Sequence, residues 1–268
     1  MTLPLFIAAA LAYGAATFAY GADVGERAGE PEARTHRFAR PLLALGAVLH
    51  VVLIGLQCVV GDHPLKNIYL ATSFGALVTA IGYLGLSRNR KLDPIGAVIA
   101  PIGLGGLALG VVFSSVGGAT IPAGPGLASA HVGFASAGLA GFTLAAAVAG
   151  LYLVTERRLR RKEFRPGGGG MSLTGLDRLH HRIVLLVTPV FTLAIVTGAL
   201  WILQAGGPEM LRGRLFEIIA GALAWIASVV LLVTRAVAGS RGRRSAWLTI
   251  FAFAAVVLIV VSYGVRGG

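Results

Sequence analysis

Eight long apolar runs separated by short polar connections constrain this chain more than any other feature. About 20 consecutive apolar residues cross the roughly 30 Å hydrocarbon core of a bilayer as one helix. A backbone in lipid must satisfy its own hydrogen bonds, so runs of this length resolve as helices. They cover residues 3–21, 41–60, 66–86, 94–115, 128–155, 180–203, 215–237 and 246–264. Only 13% of the residues are charged and 56% are hydrophobic, whereas a soluble domain carries about 25% charged residues. The expected fold class is all-α: a polytopic membrane protein with eight transmembrane helices in a single integral membrane domain, 1–268.

The basic residues fix an expected orientation. Nineteen of the 23 Lys and Arg fall on alternate connections, 22–40, 87–93, 156–182 and 235–245. Lys66, Arg212, Arg214 and Arg266 fall on the others. Cytoplasmic loops retain Lys and Arg, so the alternation places both termini outside the cytoplasm. The first run lacks the basic segment that opens a secretory signal and reads as the first span. The net charge of +12 lies at the ends of apolar segments and not in a separate basic domain. Nucleic acid is therefore not an expected partner, whereas anionic lipid head groups are. The basic, glycine-rich stretch 156–179 is the main cytoplasmic loop. Its Gly167 to Gly170 run has no Gly-Lys-Ser/Thr after it, as a phosphate loop requires, and reads as a tether dividing five spans from three.

Ionisable groups inside spans are costly and mark candidate sites. His50 lies near the middle of the second span and His131 just inside the outer end of the fifth. His63 lies in the short outer turn Gly61-Asp62-His63-Pro64-Leu65. His180 and His181 sit at the cytoplasmic mouth of the sixth span, Glu217 lies near the outer end of the seventh, and His36 falls in a polar loop. A neutral imidazole is a good iron ligand, and two can hold a haem from both faces. His131 and His50 are the leading candidates for haem iron, with His63 as a further haem-binding residue. The alternative for each is a histidine hydrogen-bonded to a neighbouring helix. At 1.5 Å per residue, His50 sits roughly 15 Å from the outer end of its span and His131 about 5 Å, so one shared macrocycle is not implied. Cys58 is the single cysteine and reads as a small buried hydrophobe. No paired carboxylates, Cys/His cluster or Ser-His-Asp pattern suggests a catalyst.

Several motifs together resemble the cytochrome c assembly proteins of the Ccs type. They are Leu49-His50 with Gly61-Asp62-His63-Pro64-Leu65-Lys66-Asn67-Ile68-Tyr69, Ala130-His131-Val132-Gly133, Leu176-Asp177-Arg178-Leu179-His180-His181-Arg182, Thr197-Gly198-Ala199-Leu200-Trp201, and Ser240-Arg241-Gly242-Arg243-Arg244-Ser245-Ala246-Trp247. Members that attach haem carry a tryptophan-rich outer loop after span six. The corresponding Ile202 to Arg214 has no tryptophan, and Val233 stands at the position of their span-seven histidine. Ser262 to Arg266 also carries no histidine where those members have one. The pattern is similar to the HemX-like branch. The resemblance implies a multi-pass protein of the bacterial cytoplasmic (inner) membrane that binds or handles haem in support of cytochrome c maturation, beside other cytochrome c assembly membrane proteins. It implies an assembly factor and not an enzyme. The alternative is a non-catalytic regulator or scaffold for tetrapyrrole-synthesis or cytochrome-assembly proteins.

The charge alternation makes a direct prediction. Reporter fusions at Gly268 and within Gly167 to Gly170 should report opposite compartments, and a cytoplasmic signal from the C-terminal fusion would contradict the expected topology.

Overall fold

Each apolar run forms a helix. The computed structural model describes residues 2–26, 36–61, 63–87, 90–113, 126–162, 171–205, 211–239 and 242–266. The long helices are α1 (Thr2–Glu26), α2 (His36–Val60), α3 (Ile68–Leu86), α4 (Asp93–Ala108), α5 (Leu127–Arg160), α6 (Leu173–Ala205), α7 (Leu215–Ala238) and α8 (Arg243–Arg266). A 3₁₀ turn, Arg90–Leu92, leads into α4, and a π-helical turn, Leu109–Phe113, continues it. Among the described residues, eight helices are long and apolar enough to cross a membrane. Arg27, Arg34, Arg88, Arg165, Arg241 and the Gly167 to Gly170 tether lie outside the described residues.

The helices outrun the apolar segments because hydropathy marks only the part suited to lipid. His36 opens α2 and is not in a loop. The basic segment 156–179 is helical at both ends, since α5 runs to Arg160 and α6 starts at Leu173. In the last turn of α5, Glu156 and Arg160 form an i,i+4 ion pair at 2.8 Å, an arrangement that supports helix beyond the bilayer. Local chemistry sets other ends. The Asn67 side chain caps α3 by accepting from the Tyr69 N–H at 2.8 Å. Pro94 occupies the first turn of α4, where its missing N–H costs nothing. Arg40 donates to the Leu84 carbonyl at the end of α3.

The chain packs as two compact units, Met1–Gly118 and Ala119–Gly268, with four long helices in each. The division falls between α4 and α5. α5 and α6, on either side of the glycine run, lie in the same unit and share its most extensive interface.

In the first unit α1 packs on α2 and α4, and α3 packs on α4. Lipid supplies no hydrophobic force between helices, so close backbone approach must do the work. The stretch from Ile102 to Gly110 provides it on one face of α4. A Cβ at Gly103 would lie 2.6 Å from the Tyr13 ring and one at Gly110 2.5 Å from Ser73 Cβ. One at Gly106 would collide with the Ala76 methyl.

In the second unit α5 packs on α6 and α8, and α7 on α6 and α8. Gly138 and Gly141 of α5 receive Phe191 and Val187 of α6, and Phe142 meets Phe191 edge-on at 5.1 Å. At one end of this unit Asp177 of α6 ties three elements together. One carboxylate oxygen pairs with Arg235 of α7 at 2.9 Å, and the other accepts the Gly242 N–H just before α8 at 3.2 Å. Gly242 can be there because its φ is +83° and a Cβ would press on the Tyr152 hydroxyl at 2.8 Å. Gly239, at φ +58°, ends α7 by donating to the Thr234 carbonyl.

Overpacking a helix contact costs about 1–3 kcal/mol. Gly103→Ala and Gly106→Ala should each destabilise the detergent-solubilised protein by that amount, read as a lower thermal midpoint. Gly105→Ala, whose Cβ would meet nothing within 4 Å, should leave the midpoint unchanged. Equal losses at all three positions would contradict the packing role.

Candidate functional site

The two leading histidines have opposite surroundings. His50 belongs to the first unit and is fully buried. Its Nδ1 lies 3.4 Å from the Tyr13 hydroxyl of α1 and its Nε2 lies 2.9 Å from the Ser73 hydroxyl of α3. A neutral imidazole has one donor and one acceptor nitrogen, so one hydroxyl donates and the other accepts. The Tyr13 ring also meets the imidazole edge-on at 5.9 Å. His50 thus links α1, α2 and α3 through the interior, with both nitrogens engaged. No partner lies next to it in the sequence; the tyrosine comes from α1 and the serine from a position 23 residues onward on α3.

His63 is exposed in the turn after α2. Its Nδ1 accepts the Leu65 N–H at 3.3 Å, and its carbonyl accepts the Lys66 N–H at 3.0 Å. It belongs to the first unit and His131 to the second. Cys58, expected to be buried, is exposed on α2, as are Val51, Val59 and Val60. A membrane-spanning helix can turn such residues to lipid, which a rule for soluble cores does not anticipate.

His131 lies in the second turn of α5 and is half-buried. Its Nδ1 is 2.8 Å from the Ala194 carbonyl of α6. A carbonyl can only accept, so Nδ1 carries the proton. In the neutral ring Nε2 then holds the lone pair, and Nε2 has no hydrogen-bond partner among the described residues. Gly198, one turn beyond Ala194, makes this approach possible: a Cβ there would lie 2.7 Å from Nδ1. Trp201 follows on α6, its ring 6.1 Å from the imidazole and tilted by 31°.

A cation completes the cluster. The Arg214 guanidinium lies 5.7 Å over the Trp201 ring and 5.2 Å over the Tyr263 ring of α8, and it donates to the Tyr263 hydroxyl. Glu217, three residues further along, is buried in the first turn of α7, where the helix dipole favours a carboxylate. Its Oε1 accepts from Ser262 at 3.2 Å. The site therefore draws on α5, α6, α7 and α8: an imidazole with one fixed nitrogen, an indole, a held guanidinium and a buried acid. The sequence singled out His131 and Glu217 but not Arg214, Tyr263 or the function of Gly198. The usable signals were the glycine and tryptophan at an i,i+3 spacing in Thr197-Gly198-Ala199-Leu200-Trp201, and a lone arginine at a span end.

His180 and His181 sit at the other end of α6. His180 Nε2 is 2.7 Å from the Thr249 hydroxyl of α8. Both histidines border a shallow cleft with Leu231, Arg235 and Ser245. Among the described residues, no three His, Cys, Asp or Glu side chains are grouped to hold a metal ion.

The comparisons with known proteins agree with this reading at the level of family. No curated protein and no solved structure matches the chain. The model of the family described as cytochrome C assembly protein matches residues 67–267, well over half of the chain. The match starts at Asn67, the cap of α3, so it includes His131 and leaves α1, α2, His50 and His63 before it. This multi-pass membrane chain belongs to the cytochrome c assembly protein family.

Proposed function

We propose that this protein binds or handles haem within the bacterial inner membrane in support of cytochrome c maturation, through His131. The observation that carries this reading is the fixed tautomer of His131. A metal-binding histidine commonly donates its other ring N–H to a carbonyl, which orients the ring and raises its basicity. The Ala194 carbonyl accepts such a bond from Nδ1, and Nε2 is the nitrogen left to bind iron. In this proposal haem, when bound, supplies an iron centre with an open position for an imidazole. Ala194 and Gly198 set the direction of the ring. Trp201 offers an apolar edge to a flat aromatic ligand, and Arg214 offers a positive charge to its carboxylates.

The other expected ligands differ in readiness. His63 is exposed and its Nε2 can accept a metal in place of water. His50 would first have to release Ser73 or Tyr13. The charge alternation supports both termini lying outside the cytoplasm, which would put the start of α5 and the His131 cluster at the outer face, where c-type cytochromes are assembled. The loop after α6 lacks tryptophan, which supports placement in the HemX-like branch and a handling role without catalysis. Other cytochrome c assembly membrane proteins are the proposed partners. A scaffold role has its own support: Arg157, Arg158, Arg161 and Lys162 are exposed at the end of α5 and available to a partner protein.

Titration of haem into the purified protein tests the proposal. The wild type should develop a strong Soret band, and His131→Ala should weaken or shift it. His50→Ala should leave it in place. No uptake by the wild type, with function lost only when Arg157 to Lys162 are neutralised, would favour the scaffold. Gly198→Val should displace the His131 ring from Ala194. Loss of an orienting partner typically weakens metal affinity by about 10–100-fold, and the same titration should show this with His131 still present. Wild-type affinity in Gly198→Val would contradict the orienting role.

A further inference from the structure

The Arg214 guanidinium is held more firmly than an arginine at a helix end requires. It lies 5.7 Å from the centre of the Trp201 ring of α6 and 5.2 Å from that of the Tyr263 ring of α8, and it donates to the Tyr263 hydroxyl. The same Trp201 ring contacts the His131 imidazole. A positive charge is thus anchored one aromatic ring away from the nitrogen assigned to iron, in a partly buried setting where solvent screens it weakly. The first turn of α7 adds a buried carboxylate, Glu217, three residues on. The site therefore has two built-in charges of opposite sign, each held by a residue of α8.

We infer that Arg214 sets the oxidation state in which bound haem is held, favouring ferrous over ferric iron, with Glu217 acting in the opposite sense. This rests on the reading of His131 as an iron ligand. Ferric haem gains one electron to become ferrous, and the iron centre loses one unit of positive charge. A fixed cation nearby repels the more positive state and favours the reduced one; a fixed anion does the reverse. The electron comes from an external one-electron donor, the redox mediators in the test below, so Arg214 shifts the equilibrium and takes part in no bond. Arg214 is a positioning charge and not a catalytic residue.

The test uses the haem-loaded full chain in detergent, poised with redox mediators at the potential where the wild type is half reduced. The ferrous-to-ferric ratio is read from the visible bands. Arg214→Met keeps a long apolar stem beside Trp201 and Tyr263 but removes the charge, and should lower the ratio by roughly three- to tenfold, as one unit charge at such range implies. Arg214→Lys should stay near the wild type. Glu217→Gln should raise the ratio. Opposite signs at the two positions are what a charge effect produces and a packing defect does not. A ratio unchanged in Arg214→Met with haem still bound would overturn the inference, as would an equal fall in Arg214→Lys. If Arg214→Met does not fold, the direction of the Glu217→Gln shift decides, and a fall or no change overturns it. Wild-type protein that binds no haem would instead remove the haem reading itself, together with this inference.

Discussion

Close approach of helix backbones at glycine is the constraint on which the rest of this structure depends. Water is absent from the bilayer core, so burying apolar surface against another helix gains little over burying it in lipid tails. Contact must come from packing, and packing needs one helix to offer a surface without side chains. Gly103, Gly106 and Gly110 do this for α4, and Gly138 and Gly141 do it for α5. The same device makes the candidate site. Gly198 opens a place on α6 where an imidazole from α5 reaches a main-chain carbonyl. A feature of several interfaces thus becomes, at one position, a contact proposed to orient a ligand.

Polar links supply what packing leaves unspecified. Buried polar groups are expensive unless paired, and each paired group fixes the register of the helices it joins. His50 joins three helices through Tyr13 and Ser73. Asp177 joins α6, α7 and the start of α8 through Arg235 and Gly242. His180 reaches α8 through Thr249. Removing one partner of such a hydrogen bond leaves a buried polar group unsatisfied, typically at a cost of about 1–3 kcal/mol. His131 commits its Nδ1 to a main-chain carbonyl of α6 instead of to a hydroxyl.

The sequence was most informative about what lipid dictates. Eight helices followed from apolar length, and all eight formed. Their ends were less legible, because α2, α5 and α6 extend through charged residues that hydropathy excludes but helix propensity accepts. The split into two units could not be read at all. The glycine tether suggested a division after α5, whereas interhelical packing places it before α5. Within the site, His131 was visible as an ionisable residue in a span. Its carbonyl partner lies 63 residues away and carries no side-chain signature. Arg214 and Tyr263 were invisible for a similar reason: a cation that meets two aromatic rings is a property of three helices and not of any one stretch of chain.

The central claim is that His131 presents Nε2 because Nδ1 is bound to a carbonyl. Nitrogen NMR of protein labelled with ¹⁵N-histidine tests this most directly, with the His131 signals identified by their loss in His131→Asn. The account predicts a neutral ring protonated at Nδ1, whose Nε2 signal alone is lost when haem is added. A ring protonated at Nε2, or an Nε2 signal that haem leaves untouched, would contradict it.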